Sequence, residues 1–86
     1  MNKHQRTFRA IFEKPTRSNI LWSDIEKLFI ALGARVEEGN GSRIRVKLNS
    51  ARSVFHRPHP RKEADKGAVG SARQFLTDAE VNEDEI

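Results

Sequence analysis

The sequence predicts a single small α+β domain, in which helices precede and follow three antiparallel strands. Apolar residues recur at helical spacing before residue 33 and again after residue 66. Between residues 34 and 56 they alternate with polar residues, as in half-buried strands. A chain of 86 residues builds one core and leaves no room for an enclosed cofactor site. We therefore expect no small-molecule cofactor.

The first predicted helix covers about residues 5–13. Its apolar stripe lies at helical spacing and consists of Phe8, Ile11 and Phe12. Pro15 ends this helix because proline lacks the amide hydrogen that a helix interior needs. We interpret residues 1–15 as an N-terminal helical extension and residues 16–21 as a connection.

The second predicted helix covers residues 24–32 and has the clearest pattern. Its apolar residues recur at i, i+3, i+4 and i+7 and are Ile25, Leu28, Phe29 and Leu32. Ser23 and Glu26 have the spacing of a capping box, in which each side chain accepts the backbone amide hydrogen of the other residue. Gly33 predicts the end of the helix, because glycine readily adopts a left-handed conformation.

Three strands are predicted next, at residues 34–37, 43–48 and 51–56. Residues 39–41, Gly-Asn-Gly, favour a turn after the first strand, and residues 49–50, Asn-Ser, favour a two-residue turn after the second. Because a tight turn fixes the register of a hairpin, the pairing of the last two strands follows from the sequence.

This register gives the predicted sheet a cationic outer face. Ile44 lies opposite Phe55 on the core side, and Arg43 lies opposite His56 on the other side. The side chains that share the outer face are Arg43, Arg45, Lys47, Arg52 and His56. Since like charges opposite one another destabilise a sheet, we expect a counter-ion to bind this face.

The last predicted helix covers residues 66–77 and follows a segment that Pro58 and Pro60 hold extended. Its buried residues are Val69, Ala72, Phe75 and Leu76. We assign residues 16–79 to the main domain. Residues 80–86 contain four acidic residues, no basic residue and little apolar content, so we expect an acidic, disordered tail.

Half of the basic residues of the chain, eight of 16, lie between residues 43 and 66. We predict that they bind RNA, because lysine and arginine hold phosphates; they are Arg43, Arg45, Lys47, Arg52, Arg57, Arg61, Lys62 and Lys66. Without residues 80–86 the chain has 16 basic and 8 acidic residues, which favours a polyanionic partner. The alternative is a solvated basic surface without a partner.

His56 and His59 lie inside this basic segment and are the candidate catalytic residues. Cleavage of RNA by its own 2′-hydroxyl needs a base, an acid and cations on the phosphate, and imidazole suits either proton role near neutral pH. The alternative is that both histidines only contact phosphate or a protein partner. They are a poor metal pair, because in an extended chain they point to opposite faces and no cysteine is present.

Export and membrane insertion are not predicted. The N-terminus lacks the apolar run of a signal peptide, and the longest apolar stretch, residues 28–32, is too short to span a bilayer. We therefore expect a soluble, cytoplasmic protein without a membrane partner. Disulfides are excluded because the chain has no cysteine.

Three groups of residues occur in an order that is typical of one family: Trp22-Ser23-Asp24-Ile25 with Leu28, Leu32 and Gly33; Gly41-Ser42; and His59-Pro60-Arg61-Lys62-Glu63 followed by Lys66-Gly67, Ala72 and Leu76. Over about residues 20–79 the chain resembles the HicA family of toxin–antitoxin ribonucleases. Residues 55–60 resemble in particular a branch with an extra N-terminal helix. His59 matches a histidine that is common in the family after the third strand.

The resemblance implies a fold like that of a double-stranded-RNA-binding domain, with a three-stranded antiparallel sheet and two helices on one face. It also implies a toxin that cleaves mRNA and a HicB-like antitoxin as its protein partner. An arginine-rich outer face suits RNA, which is held largely through its phosphates and 2′-hydroxyls.

One position departs from the family. The proposed catalytic histidine of the family directly follows the Gly-Ser of the turn, where this chain has Arg43, which cannot act as a base at neutral pH. In one hypothesis His56 or His59 moves the proton in a metal-independent cleavage. Arg43 and Arg45 then hold the phosphate. In another, the domain binds RNA or an antitoxin without cutting; a third is a basic scaffold protein.

Overall fold

A three-stranded antiparallel sheet with helices on one face is the frame of the protein, seen in a computed structural model that describes all 86 residues. The elements are α1 (Lys3–Phe12), β1 (Ile20–Leu21), α2 (Trp22–Ala31), β2 (Arg35–Glu38), β3 (Arg43–Leu48), β4 (Ala51–His56), β5 (Glu63–Ala64), α3 (Lys66–Asp78) and a 3₁₀ turn (Glu83–Glu85). The main sheet has the order β2-β3-β4, and β1 pairs with β5 in a separate ladder. The predicted α+β class is confirmed. None of the helices has the length and hydropathy needed to cross a membrane.

The register of the main sheet agrees with the prediction. Arg43 lies opposite His56, and Ile44 lies opposite Phe55. Asn49 adopts a φ of 55° in the turn between β3 and β4, a conformation that asparagine tolerates better than most residues. The buried residues of β3 alternate with exposed ones and are Ile44, Val46 and Leu48. The sheet therefore has one buried face and one open face.

The helices cover the buried face and build an aromatic core with it. Phe29 of α2, Phe55 of β4 and Phe75 of α3 have ring centroids 5.1 to 5.8 Å apart. Trp22 packs on Phe55 with ring centroids 5.4 Å apart. Ile11 of α1 is fully buried in the same core, so the N-terminal helix packs as part of the domain. The buried residues of α3 are the predicted ones, Val69, Ala72, Phe75 and Leu76.

The start of α2 differs from the prediction. The helix begins at Trp22, and its capping position is Leu21, which makes no side-chain hydrogen bond. The amide of Trp22 donates to the carbonyl oxygen of Lys62 at 2.9 Å, beside the β1–β5 ladder. The predicted capping box at Ser23 is wrong, because the helix begins before Ser23 and the Glu26 carboxylate accepts hydrogen bonds from Trp22 and Arg57 instead. Gly33 ends the helix as predicted, with a φ of 96°.

The acidic tail at residues 80–86 also differs from the prediction, because it is folded against the domain. Val81 is buried in the core, and the tail contains a 3₁₀ turn. Glu83 forms a salt bridge with Arg9 of α1. The carbonyl oxygen of Ile86 accepts a hydrogen bond of 3.2 Å from a side chain of α1. The low apolar content predicted disorder, but Val81 and Ile86 pack on the core, and the ion pair of Glu83 joins this short segment to α1.

Candidate nucleic-acid interface

The open face of the main sheet carries five cationic side chains and one carboxylate. Its outward residues are Arg35, Glu37, Arg43, Arg45, Lys47, Arg52, Val54 and His56, and all of them are exposed. The helices pack on the opposite side of the sheet, so no element of the fold covers this surface. We call it the open face below.

Backbone hydrogen bonds determine which side chains of the open face are close neighbours. The amide of Arg57 donates to the carbonyl oxygen of Ser42 at 2.9 Å, which makes these two a hydrogen-bonded pair. The next pair, Arg43 and His56, is therefore a non-hydrogen-bonded pair. Side chains are closest at such pairs, with Cβ atoms about 4.5–5.5 Å apart. His56 thus lies directly beside Arg43.

Only two of the five cations have a carboxylate nearby. Glu37 lies between them, with carboxylate oxygens 3.8 Å from Arg45 Nε and 3.9 Å from Arg35 Nε. The cations of the open face without a salt bridge are Arg43, Lys47 and Arg52. Lys47 and Arg52 lie directly opposite one another, so their charges repel. The sequence predicts a counter-ion for this face, and Glu37 supplies that negative charge for only two of the five cations.

The two candidate histidines border one cleft at the edge of the open face. His56 ends β4, His59 lies in the segment between β4 and β5, and both line the cleft together with Arg61 and Asp65. The Asp65 carboxylate is already used, since it accepts the amide hydrogen of Ala68 at 2.8 Å and caps α3. Neither imidazole has a hydrogen-bond partner in the protein, and no group of three or more potential metal ligands forms. The structure brings the two histidines together but orients neither of them.

Arg57, one of the predicted RNA contacts, is used inside the protein. Its Nε and Nη2 donate to the two carboxylate oxygens of Glu26 at 3.0 and 2.9 Å, and its Nη1 donates to Glu38 at 2.8 Å. Trp22 Nε1 also donates to Glu26, at 2.9 Å. The hydrogen bonds from Arg57 lower the pKa of Glu26 despite its partial burial, and those to Glu26 and then Glu38 raise the pKa of Arg57. This guanidinium is therefore occupied by two carboxylates.

The other three predicted RNA contacts lie outside the open face. Arg61 borders the histidine cleft, with one guanidinium nitrogen 3.5 Å from the carbonyl oxygen of Ser18. Lys62 borders a groove next to Trp22. Lys66 is exposed at the first position of α3. The eight predicted contacts therefore divide into four on the open face, three outside it and one, Arg57, that is paired internally.

Three residues of the open face are missing from the predicted set: Arg35, Val54 and Glu37, the carboxylate that lies near Arg35 and Arg45. Arg35 lies opposite Lys47 and adds a fifth cation, and Val54 lies opposite Arg45 with 51% of its surface exposed. The spacing of Arg35 and Glu37 in the first strand is a signal that both lie on one face, since side chains two residues apart share a face of a strand.

An antiparallel sheet with helices on one face and an open face on the other defines an α+β domain like the double-stranded-RNA-binding domain. The family model described as HicA toxin of bacterial toxin–antitoxin matches residues 22–81, which are 60 of the 86 residues. The chain belongs to the HicA toxin family and is thereby the toxin of a toxin–antitoxin system, with an antitoxin as its partner. Helix α1 lies outside the matched segment. No match was found among curated proteins or among solved structures.

Proposed function

We propose that this toxin binds mRNA on its open face, cleaves it without a metal ion and is neutralised by a HicB-like antitoxin. The observation that carries the proposal is a set of three cations without a carboxylate partner, one of which lies beside an imidazole. They are Arg43, Lys47 and Arg52, and the imidazole is that of His56. A polyanion relieves the repulsion on this face, and RNA supplies phosphates at close spacing.

The chemistry requires two proton transfers and charge stabilisation at phosphorus. An imidazole, that of His56 or His59, takes the proton of a ribose 2′-hydroxyl, and the 2′-oxygen then bonds to the neighbouring phosphorus. The bond from phosphorus to the 5′-oxygen breaks, and that oxygen leaves with a proton from an acid. The products are a 2′,3′-cyclic phosphate and a 5′-hydroxyl. Arg43 and Arg45 stabilise the negative charge that develops on the phosphate oxygens.

His56 is favourably placed to replace the histidine that the family has in the turn. That histidine directly follows Gly-Ser, at the position of Arg43 in this chain. Because Arg43 and His56 form a direct cross-strand pair with close side chains, the imidazole approaches the same region from the neighbouring strand. His59 borders the same cleft and is the second candidate for the proton carrier.

A non-catalytic binding module is the alternative, and one observation favours it. Neither histidine has a hydrogen-bond partner that would fix its tautomer and orientation, whereas catalytic imidazoles are usually oriented by a further group. In this case the open face still binds RNA or the antitoxin, but the chemistry has been lost together with the histidine of the turn.

The experiment is incubation of the purified protein with end-labelled mRNA in the presence of EDTA. The wild type is compared with His56→Ala, His59→Ala and the double variant. His4→Ala is the matched control, because His4 lies on α1, which packs against the helices away from the open face. Cleavage by the wild type and the control, but not by the double variant, is expected, with 2′,3′-cyclic phosphate ends.

Two other results distinguish the alternatives. Binding without cleavage by the wild type supports the non-catalytic module. Cleavage that the double variant retains in full contradicts the assignment of His56 and His59 as proton carriers.

A further inference from the structure

One arginine links three elements around the candidate histidines. Arg57 directly follows His56 and precedes His59 by two residues. It lies where the chain leaves β4, in the short segment that connects the two histidines. A change in the backbone at this residue therefore changes the position of one histidine relative to the other. The contacts of Arg57 are therefore relevant to both imidazoles.

The first set of contacts holds the turn between β2 and β3. The backbone amide of Arg57 donates to the carbonyl oxygen of Ser42, the last residue of the turn, at 2.9 Å. Its Nη1 donates to the carboxylate of Glu38, the last residue of β2, at 2.8 Å. Arg57 thus holds both ends of the turn. Arg43, the residue after that turn, is the one that faces His56.

The second set of contacts ties the same side chain to α2. Nε and Nη2 of Arg57 bind the two oxygens of Glu26, an arrangement that restricts both the distance and the orientation of the guanidinium. The Glu26 side chain is 18% exposed and also accepts the indole hydrogen of Trp22, which is buried in the core. Through Glu26, Arg57 is anchored to the rigid part of the molecule.

We propose that Arg57 is a positioning residue, which holds Arg43, His56 and His59 in a fixed arrangement and does not contact the RNA. The inference rests on the proposed function, because it assigns a role within the same site. A displacement of about 1 Å at a reacting group can lower a rate about a hundredfold, so a rigid tie at this point has a direct effect on cleavage. Three of the five N–H groups of the guanidinium donate to Glu26 and Glu38, and these two carboxylates offset the charge of Arg57, so a phosphate would gain little from it.

The test uses two pairs of variants. Glu38→Gln is compared with Glu37→Gln, and Arg57→Gln is compared with Arg61→Gln. Glu37 neighbours Glu38 but does not bind Arg57, and Arg61 carries the same charge in the same loop without a carboxylate partner. For Glu38→Gln and Arg57→Gln we expect kcat to fall about tenfold to a hundredfold, with RNA affinity and its salt dependence little changed. Arg61→Gln should instead weaken RNA binding and reduce its salt dependence, as expected for the loss of a phosphate contact. Arg57→Lys keeps the charge but cannot bind Glu26 through two parallel N–H groups, so it should recover only part of kcat.

Glu38→Gln distinguishes most clearly between a positioning role of Arg57 and a direct contact of Arg57 with RNA. If Arg57 contacts phosphate, removal of a competing carboxylate charge will strengthen RNA binding and steepen its salt dependence. That result would overturn the proposal. Because the Glu38 side chain is 67% exposed, this variant is expected to fold even if Arg57→Gln does not.

A second measurement does not depend on cleavage. Amide hydrogen exchange at residues 39–43 and at Arg57 and His59 should be about tenfold faster in Glu38→Gln than in Glu37→Gln, because the contact that holds the turn is weakened. Equal exchange in the two variants contradicts the positioning role. If the wild type does not cleave RNA but exchange changes as expected, the proposed function fails and the structural role of Arg57 stands.

Discussion

Arginine side chains have opposite roles on the open face and in the cluster that Arg57 forms with Glu26 and Glu38. On the open face Glu37 is the only carboxylate among five cations, and three of these cations have no salt bridge. At the cluster a single arginine binds two carboxylates, those of Glu26 and Glu38, at 2.8 to 3.0 Å. The two regions are adjacent, since Arg57 follows the last residue of β4. The cluster connects elements of the fold, whereas the open face lacks part of its counter-charge.

The difference supports the proposal that a charged partner binds the open face. A surface that keeps unpaired like charges opposite each other, as at Lys47 and Arg52, loses stability relative to a neutral surface. Such local conflicts are expected at functional sites, where binding rather than folding determines the residue. The cluster shows the converse, because without Arg57 the carboxylate of Glu26, which is 18% exposed, would keep only the indole of Trp22 as a partner. The predictions below test this contrast, from the largest expected effect to the smallest.

The largest effect should follow from neutralisation of the open face. The triple variant Arg43→Gln, Lys47→Gln, Arg52→Gln removes three proposed phosphate contacts. For single-stranded RNA each contact contributes about 0.7 to the slope of log K against log salt, so the slope should fall by about 2. At about 0.1 M salt this corresponds to a loss of affinity of about a hundredfold, measurable by filter binding over a salt series.

The same triple variant should not lose stability, because it removes repulsion and breaks no salt bridge. We expect its free energy of unfolding in urea to equal that of the wild type within about 0.5 kcal/mol, or to exceed it. A large destabilisation would show that these side chains hold the sheet together and would weaken the contrast between the two regions.

The next effect should come from the cluster. Glu26→Ala leaves the indole hydrogen of Trp22 and two N–H groups of Arg57 without an acceptor, so we expect a loss of about 1–3 kcal/mol in urea unfolding. Glu37→Ala on the open face is the matched control and should cost less than about 0.5 kcal/mol, since its ion pairs are exposed and long. Equal losses for the two variants would contradict the distinction.

A pH series should show a further, smaller effect of Glu26. The hydrogen bonds from Arg57 lower the pKa of Glu26 in the folded protein below its ordinary value of 4.5. A lowered folded pKa contributes stability that is complete above the unfolded pKa and is lost as the pH falls through the folded one. The stability advantage of the wild type over Glu26→Gln should therefore be constant near neutral pH and shrink below pH 4.5. An advantage that persists unchanged to strongly acidic pH would exclude the ionised carboxylate as its source.

The smallest effect should occur at the tail. Arg9 and Glu83 form an exposed ion pair between α1 and the 3₁₀ turn, so Glu83→Gln should lower the melting temperature only slightly. Because salt screens exposed charges, the difference should disappear in 1 M NaCl, which shortens the screening length to about 3 Å. A difference that survives high salt would indicate that the pair also positions Val81 in the core.

Much of the fold follows from local sequence patterns. The alternation of Ile44, Val46 and Leu48 with charged residues, together with a two-residue turn, was sufficient to predict the pairing of Arg43 with His56. The buried residues of α3 follow from helical spacing in the same way. These patterns succeed because a strand or helix with one apolar face has only one way to bury it.

Other features depend on partners that are distant in the sequence. Ser23 and Glu26 have the spacing of a capping box, but Glu26 binds Arg57, 31 residues later, and the start of α2 is satisfied by Lys62. The tail is acidic and poor in apolar residues, yet it packs against α1, at the other end of the chain. A local pattern cannot predict such contacts, because several partners are chemically acceptable and only the folded chain brings one of them within reach.

The sequence by itself determined the α+β class, the register that places His56 beside Arg43 and the concentration of positive charge between residues 43 and 66. Each of these depends on residue types at short spacing. The tertiary structure alone decided which positive charges are available to a partner. Arg43 and Arg57 are both arginines of the same basic segment, but the fold places two carboxylates against Arg57 and none against Arg43. The difference arises because an ion pair depends on distances in three dimensions, which the charge pattern along the chain does not contain.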